Sequence, residues 1–247
     1  ASENRIVYKD DPRNADEHLK AAGKPIDYQN RFIAVGNYGS IDDVFNYAQT
    51  AINGTTASQV IPGDLIYIDF NGDGIINSND KVVVDELNYP LTTIGFSFGF
   101  NWKGLNFSAM LYSPRNIYKL QFDQYLWDFP ASNIRVQPKS MERWTPETAN
   151  SSGVMRPATH LNNTYNKVES TYRYSDYSYI RLKNMEIGYT FPKKWLSEAH
   201  ISNLQVYMNG NNLLTFWKGD KRVDPETGGV GSYPIVRTYT LGLRVSF

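Results

Sequence analysis

The sequence predicts an all-β chain: a run of antiparallel strands from the wall of a transmembrane β-barrel, with long loops on one side. Three observations predict it. Several stretches alternate apolar and polar residues with a period of two. The most regular is 237–247, where Tyr239, Leu241, Leu243, Val245 and Phe247 share one face and Thr238, Thr240, Gly242, Arg244 and Ser246 the other. Such a stretch has the roughly nine to eleven residues that a tilted strand needs to cross a bilayer's hydrocarbon layer. The connections are short on one side and long on the other, as in a barrel whose turns and loops face different compartments.

Composition narrows the classes further. The 247 residues make room for one or two domains. Lys and Arg total 25, as do Asp and Glu, so no net charge draws the chain to nucleic acid. The absence of cysteine excludes structural disulfides and thiolate metal sites and leaves the compartment open. No apolar run reaches the roughly 20 residues of a membrane helix, but barrel strands are apolar only at alternate positions. No signal peptide is visible and the first residue is not Met, which suggests a processed or partial chain.

In chain order, residues 5–9 read as the end of a strand, and a short helix capped by Asp16 is expected over 16–22. Ser40 and Asp43 form the start of a capped helix, with Ile41, Val44, Phe45 and Ala48 as its buried stripe. In the first clear strand, Ile94, Phe96, Phe98, Phe100 and Trp102 alternate with Gly95, Ser97, Gly99 and Asn101. Lys103-Gly104 then turns the chain into a second strand with Leu105, Phe107, Ala109 and Leu111 on one face, a tight hairpin. Residues 113–178 show no long pattern beyond a helical turn at 141–144, and a loop of that length needs a reason.

From 179 to 191, Met185, Ile187, Tyr189 and Phe191 share a face while Ile180 and Leu182 have the opposite parity. Either a bulge near Asn184 shifts the phase or the upper end projects beyond the membrane. A turn at 192–202 leads to a strand with Leu204, Val206, Met208 and Leu214 on one side. The chain thus divides into 1–91, the end of a barrel strand plus an extracellular loop, and 92–247, the last five barrel strands with extracellular loops 113–178 and 216–234. Five strands with two open edges need others to close them.

One loop is acidic. Asp69, Asn71, Asp73, the carbonyl of Ile75, Asn77 and Asp80 occupy in order the ligand positions of an EF-hand-type calcium loop, with Gly74 where the chain must turn. Asp80 stands where Glu is usual, which shortens the reach. The flanks look extended rather than helical, so bound Ca2+ would be structural. The alternative is an Asx-rich turn that satisfies its own backbone. In the long loop, Tyr125, Trp127, Trp144 and Tyr165 can stack on sugar rings or peptide side chains, with Asp123, Asp128, Arg135 and Arg143 as polar contacts. The alternative is that these aromatics form the loop's own small core. No enzyme site emerges: His18, His160 and His200 are separated and lack triad partners, and no glycine-rich phosphate loop is present. No basic stripe accompanies the aromatics, which argues against nucleic acid.

In these residues the chain resembles the C-terminal part of a SusC/RagA-type TonB-dependent outer-membrane transporter of the Bacteroidetes. The matching stretches are Pro62-Gly-Asp64 followed by Asp69-Phe-Asn-Gly-Asp-Gly74, and Tyr179-Ile-Arg-Leu-Lys-Asn184 with Gly188-Tyr-Thr-Phe-Pro-Lys193. They continue through Val206-Tyr-Met-Asn-Gly-Asn-Asn-Leu-Leu-Thr215 to Arg237-Thr-Tyr-Thr-Leu-Gly242 and Phe247. The resemblance implies a barrel of about 22 strands filled by an N-terminal plug. It also implies a SusD-type surface lipoprotein over the mouth, import of oligosaccharides or peptides, and energy passed through TonB. The partners it implies are the remaining barrel and plug, that lipoprotein, TonB, the substrate and outer-membrane lipid. Tyr125, Trp127, Asp128, Arg135, Trp144 and Tyr165 are then the candidate substrate contacts, and Arg244 joins a lumen or plug network. The competing reading is a soluble, calcium-stabilised β-sandwich that binds glycans. It leaves the lipid-like face of Ile94, Phe96, Phe98 and Phe100 and the loop asymmetry unexplained.

Overall fold

A computed structural model describes residues 4–13, 15–55, 59–84, 86–121, 138–149, 153, 156–158, 164–219, 224–227 and 233–247. The chain divides into two compact units, residues 1–87 with 119–175, and residues 88–118 with 176–247. The described residues of the long loop between 119 and 175 therefore pack with the N-terminal residues.

The second unit is one antiparallel sheet. Its strands, β1 (Thr92–Trp102), β2 (Leu105–Arg115), β3 (Tyr179–Thr190), β4 (Asn203–Lys218) and β5 (Thr238–Ser246), lie side by side in chain order. Lys103 and Gly104 have φ of 47° and 89°, the two positive values that a two-residue hairpin turn requires. A Cβ on Gly104 would stand 2.5 Å from the Thr190 carbonyl oxygen, so only glycine fits. The register lines up one row of Phe96, Leu111, Leu182 and Leu214, and another of Phe100, Phe107, Ile187, Met208 and Leu241. These rows make an apolar face that is bare: Phe96 is 57% and Leu241 76% exposed. The other face is polar, with a row of Gly99, Ser108, Glu186, Asn209 and Thr240.

A bulge resolves the parity of β3. Its pairing with both neighbours shifts between Leu182 and Asn184, so Lys183 is extra against β2. On the β4 side Lys183 opposes both Asn212 and Leu213, and Asn212 takes φ of 54°. The shift returns Leu182 to the same face as Met185 and Ile187. The connection 192–202 carries a helical turn, Lys193–Leu196, followed by the 3-10 turn Ser197–Ala199.

The first unit is held by a core of Phe32, Tyr38, Val44, Ile52, Val60, Leu65, Tyr67, Ile76, Tyr165 and Val168. Short strand pairs surround it: Ala34–Asn37 with Leu65–Tyr67, Gln29–Arg31 with Val82–Val84, and Gln49–Thr50 parallel to Ile75–Ile76. Helix α1 (Ile41–Asn46) starts with the expected capping box between Ser40 and Asp43. Of its expected stripe only Val44 is fully buried and Ala48 packs at the margin, while Ile41 and Phe45 are exposed. Residues 5–9 form no strand; Arg5 makes a single bridge to Pro25. The helix expected over 16–22 shrinks to the 3-10 turn Glu17–Leu19, and Asp16 makes no side-chain cap. The turn expected at 141–144 is the 3-10 segment Pro138–Glu142.

Candidate functional site

The acidic turn closes largely on its own backbone. Asp69 accepts from the amides of Gly72 and Gly74, each at 2.8 Å, and Asn71 Oδ1 accepts from the Asp73 amide at 3.1 Å. Asp73 Oδ1 accepts from the Ile75 amide at 2.8 Å, and the Ile75 carbonyl accepts from Asn77 Nδ2 at 3.2 Å. Gly72 and Gly74 have φ of 72° and 81°, which the reversal demands. Asn71 and Asp73 are exposed and Asp69 is half-buried, and each carboxylate oxygen keeps a lone pair beyond its one amide donor. Asp80 differs from its expected role as the last ligand. It is 1% exposed, with Oδ1 accepting from the Phe70 amide at 2.9 Å and Oδ2 from the Asn77 amide at 2.7 Å. Asn77 likewise caps the next turn, accepting from the Asn79 amide at 2.8 Å. Among the described residues no group of three or more His, Cys, Asp or Glu side chains is arranged around an ion. Asn71 and Asp73 remain the least buried of the expected side-chain ligands, ahead of the half-buried Asp69 and Asn77 and the buried Asp80. Beside them lies a shallow hollow of about 640 Å³ lined by Phe45, Tyr47, Gln49, Asp69, Gly74 and Ile75.

Of the six candidate substrate contacts, Tyr125, Trp127, Asp128 and Arg135 lie outside the described residues. Trp144 and Tyr165 are both buried. The Tyr165 ring packs 5.2 Å from that of Tyr67 in the core. The Trp144 indole lies over Gly63, where a Cβ would come within 2.6 Å of Cε3. That contact and a φ of 93° account for the glycine of Pro62-Gly-Asp64. The aspartate of the same motif is a residue the sequence reading passed over. Asp64 is fully buried; Oδ2 accepts from the Ile61 amide at 3.0 Å and Oδ1 from Asn166 Nδ2 at 2.7 Å. Asn166 in turn accepts from the Leu65 amide at 2.9 Å, which ties two distant segments together. Burial pushes the hydroxyls of Tyr38, Tyr67 and Tyr165 above the usual tyrosine range, so these hydroxyls stay protonated. Arg31 is also buried, 2.8 Å from Glu86 and with its guanidinium 3.2 Å over the Tyr174 ring.

On the polar face of the sheet Arg244 donates to Gln205 Oε1 at 2.8 Å and lies 5.3 Å from the Tyr207 ring. Tyr207 crosses Gly242 so closely that a Cβ there would stand 2.5 Å from Cζ. Higher up, Arg181 and Lys183 meet Asp224 and Glu226. A charged pair on the polar side of an alternating strand was the available signal for that cluster.

A meander with one bare apolar face and one polar face defines a sheet for two surroundings, the design of a membrane-barrel wall. No helix among the described residues is long and apolar enough to cross a membrane, which says nothing of crossing with strands. No protein-family model matches the chain. It is 33% identical over 218 residues to the TonB-dependent receptor P26 of Formosa agariphila, covering 79% of this chain and 20% of that protein. It is 28% identical over 200 residues to TonB-dependent receptor P3 of the same organism, covering 75% and 19%. SusC of Bacteroides thetaiotaomicron, also a TonB-dependent receptor, is 24% identical over 194 residues, 75% of this chain and 18% of that protein. Among solved structures, the fold matches the RagAB peptide importer in its closed-closed state with a TM-score of 0.61, 21% identity, and coverage of 93% of this chain and 24% of that one. The open-open state gives a TM-score of 0.59 at 20% identity, with coverage of 89% and 22%. The chain corresponds to part of a SusC/RagA-type TonB-dependent receptor. It spans about a fifth of the length of the curated relatives it matches, and these relatives are receptors rather than enzymes.

Proposed function

We propose that this chain supplies barrel wall and extracellular loops to a nutrient importer that moves oligosaccharides or peptides across the outer membrane, working with a SusD-type lipoprotein. The observation that carries the reading is the bare apolar face running across all five strands. Such a face is stable against lipid and costly against water. The likeness to TonB-dependent receptors, SusC among them, and the fold shared with RagAB support a receptor of this kind, and the cargo is part of the proposal. In this reading cargo binds outside, the plug rearranges under force from TonB, and cargo leaves into the periplasm. Force enters through parts beyond this chain, whose own contribution is a stretch of wall and shaped loops. The β-sandwich alternative needs a second sheet on this face, and the side chains there are exposed.

Deletion of the full-length gene tests the proposal, with growth measured on a panel of oligosaccharides and of peptides as sole nutrients. Loss of growth on one class, with the protein in the outer-membrane fraction, is the expected result. Unchanged growth on every nutrient, or a full-length protein stable in water without detergent, overturns it. The acidic turn carries a separate structural role: Ca2+ held by Asp69, Asn71 and Asp73, with Asp80 left on its backbone amides. Titration calorimetry of the intact complex then shows calcium uptake that Asp69→Ala removes; no uptake, or uptake unaffected by that change, refutes it.

A further inference from the structure

Four charged side chains and two tyrosines meet on the polar face where β3 bulges. Arg181 Nη2 donates to both oxygens of Asp224, at 2.9 and 3.0 Å, and its Nε donates to Thr215 Oγ1 at 3.1 Å. Lys183 Nζ donates to Glu226 Oε2 at 2.6 Å and to Asn212 Oδ1 at 3.2 Å. Arg181 Nη1 lies 3.2 Å from Glu226 Oε1. The Tyr179 ring is 5.3 Å from the guanidinium, and the Tyr112 ring is 6.0 Å from Lys183 Nζ. Only 4% of the Arg181 side chain and 13% of each carboxylate side chain are exposed. Two cations from the strand face two anions from the β4–β5 connection, so the charge cancels.

Two physical features say what such a cluster is for. Burying Arg181 and the two carboxylates, with Lys183 31% exposed, carries a desolvation cost that their attraction does little more than offset, so apolar side chains of equal volume would serve stability as well. Satisfaction is also incomplete: Arg181 Nη1 and Glu226 Oε1 are buried and within ion-pair distance, yet not aligned for a hydrogen bond. Losing one member of such a network leaves its partner's charge buried and uncompensated, which costs far more than the intact pair contributes. The segment it fixes is compact in itself. Asp224 accepts from the Glu226 amide at 3.0 Å, and Thr227 Oγ1 donates to the Asp224 carbonyl at 2.9 Å.

We propose that Arg181 and Lys183 are positioning residues, a releasable latch that pins the 224–227 turn to the polar face of the sheet beside Tyr112 and Tyr179. The bulge places the latch, because Lys183 and its partner Asn212 are, with Leu213, the residues that the register shift leaves out of regular pairing. Release moves the turn as a unit and uncovers that stretch of the polar face.

Pro225 is buried in the latched turn, and the chain holds no cysteine, so one introduced there reports opening. The test is the maleimide labelling rate of Pro225→Cys in the full-length protein, freed of any other cysteine and folded in its membrane. The latch predicts slow labelling that rises at least tenfold with Arg181→Met and partly with Arg181→Lys. Arg244→Met, on the same face but away from the turn, leaves the rate within twofold. If Arg181→Met does not fold, Asp224→Asn with Glu226→Gln opens the latch from the turn side and gives the same rise. A rate within twofold for the folded latch variants, or an equal rise with Arg244→Met, overturns the proposal.

Discussion

Arginine placed along β1 asks directly whether the apolar face meets lipid. Ile94, Phe96, Phe98, Phe100 and Trp102 are all exposed, so substitution there removes little packing within the chain. The cost is set by what surrounds the face. The 11 residues of β1 rise about 3.4 Å each and, tilted by about 45°, span about 26 Å along the membrane normal, close to the apolar band of about 25 Å in outer-membrane barrels. Phe98 lies near the middle of that span and Trp102 at its end. Phe98→Arg therefore costs about 2–4 kcal/mol, and Trp102→Arg about 0–1 kcal/mol. Ser97→Arg, on the polar face between two phenylalanines, changes stability by about 0.5 kcal/mol or less. Urea titration of the full-length protein folded into lipid vesicles, read by heat-modifiable gel mobility, measures all three. A flat profile, or Ser97→Arg as costly as Phe98→Arg, refutes the lipid-facing assignment.

Other consequences are local. Gly63→Ala combines a positive φ with a Cβ 2.5 Å from Ala158 and 2.6 Å from Trp144, and should destabilise by about 2–4 kcal/mol; an unchanged thermal midpoint of the full-length protein in detergent would count against the packing described. Burial raises the Glu86 carboxyl above 4.5 against the opposing pull of Arg31, so the folded state holds this proton more tightly than the unfolded one. Its contribution to stability is therefore present below 4.5, falls as pH rises through the raised value, and is level above it. Hydrogen exchange in the Gln29–Arg31 and Val82–Val84 ladder, compared between the native chain and Glu86→Gln, should show that slope only in the native chain.

The strands were legible because period-two alternation needs no knowledge of neighbours. The hairpin at Lys103-Gly104 was legible for the same reason, since its two residues carry their turn geometry with them. The bulge in β3 was not decidable, although the break in parity at Leu182 pointed to it. A bulge is defined against a partner, and only the facing of Leu182 by Leu111 and Leu214 shows that it turns back to the apolar side. Helix α1 divides in the same way. Its capping box is a contact three residues long and was read correctly, but the burial of one side of a six-residue helix is decided by what packs on it, and Phe45 stayed outside.

Side-chain destinations were harder still. Spacing placed Asp80 on the calcium loop because spacing counts residues and not directions; the backbone amides of Phe70 and Asn77 hold its buried carboxylate. Trp144 and Tyr165 show that an aromatic in a long loop has the same composition whether it awaits a ligand or fills the loop's own core. Asp64 needed Asn166, too far along the chain for any local rule to join them. Arg181 is the instructive case, because part of its fate does follow from the strand. Once Leu182 faces the apolar side, its neighbour must face the other way, and a guanidinium held there among tyrosines requires an anion. The alternation therefore demands a counter-charge without saying where it comes from. The fold supplies it from the β4–β5 connection, which makes a loop with no pattern of its own part of the wall.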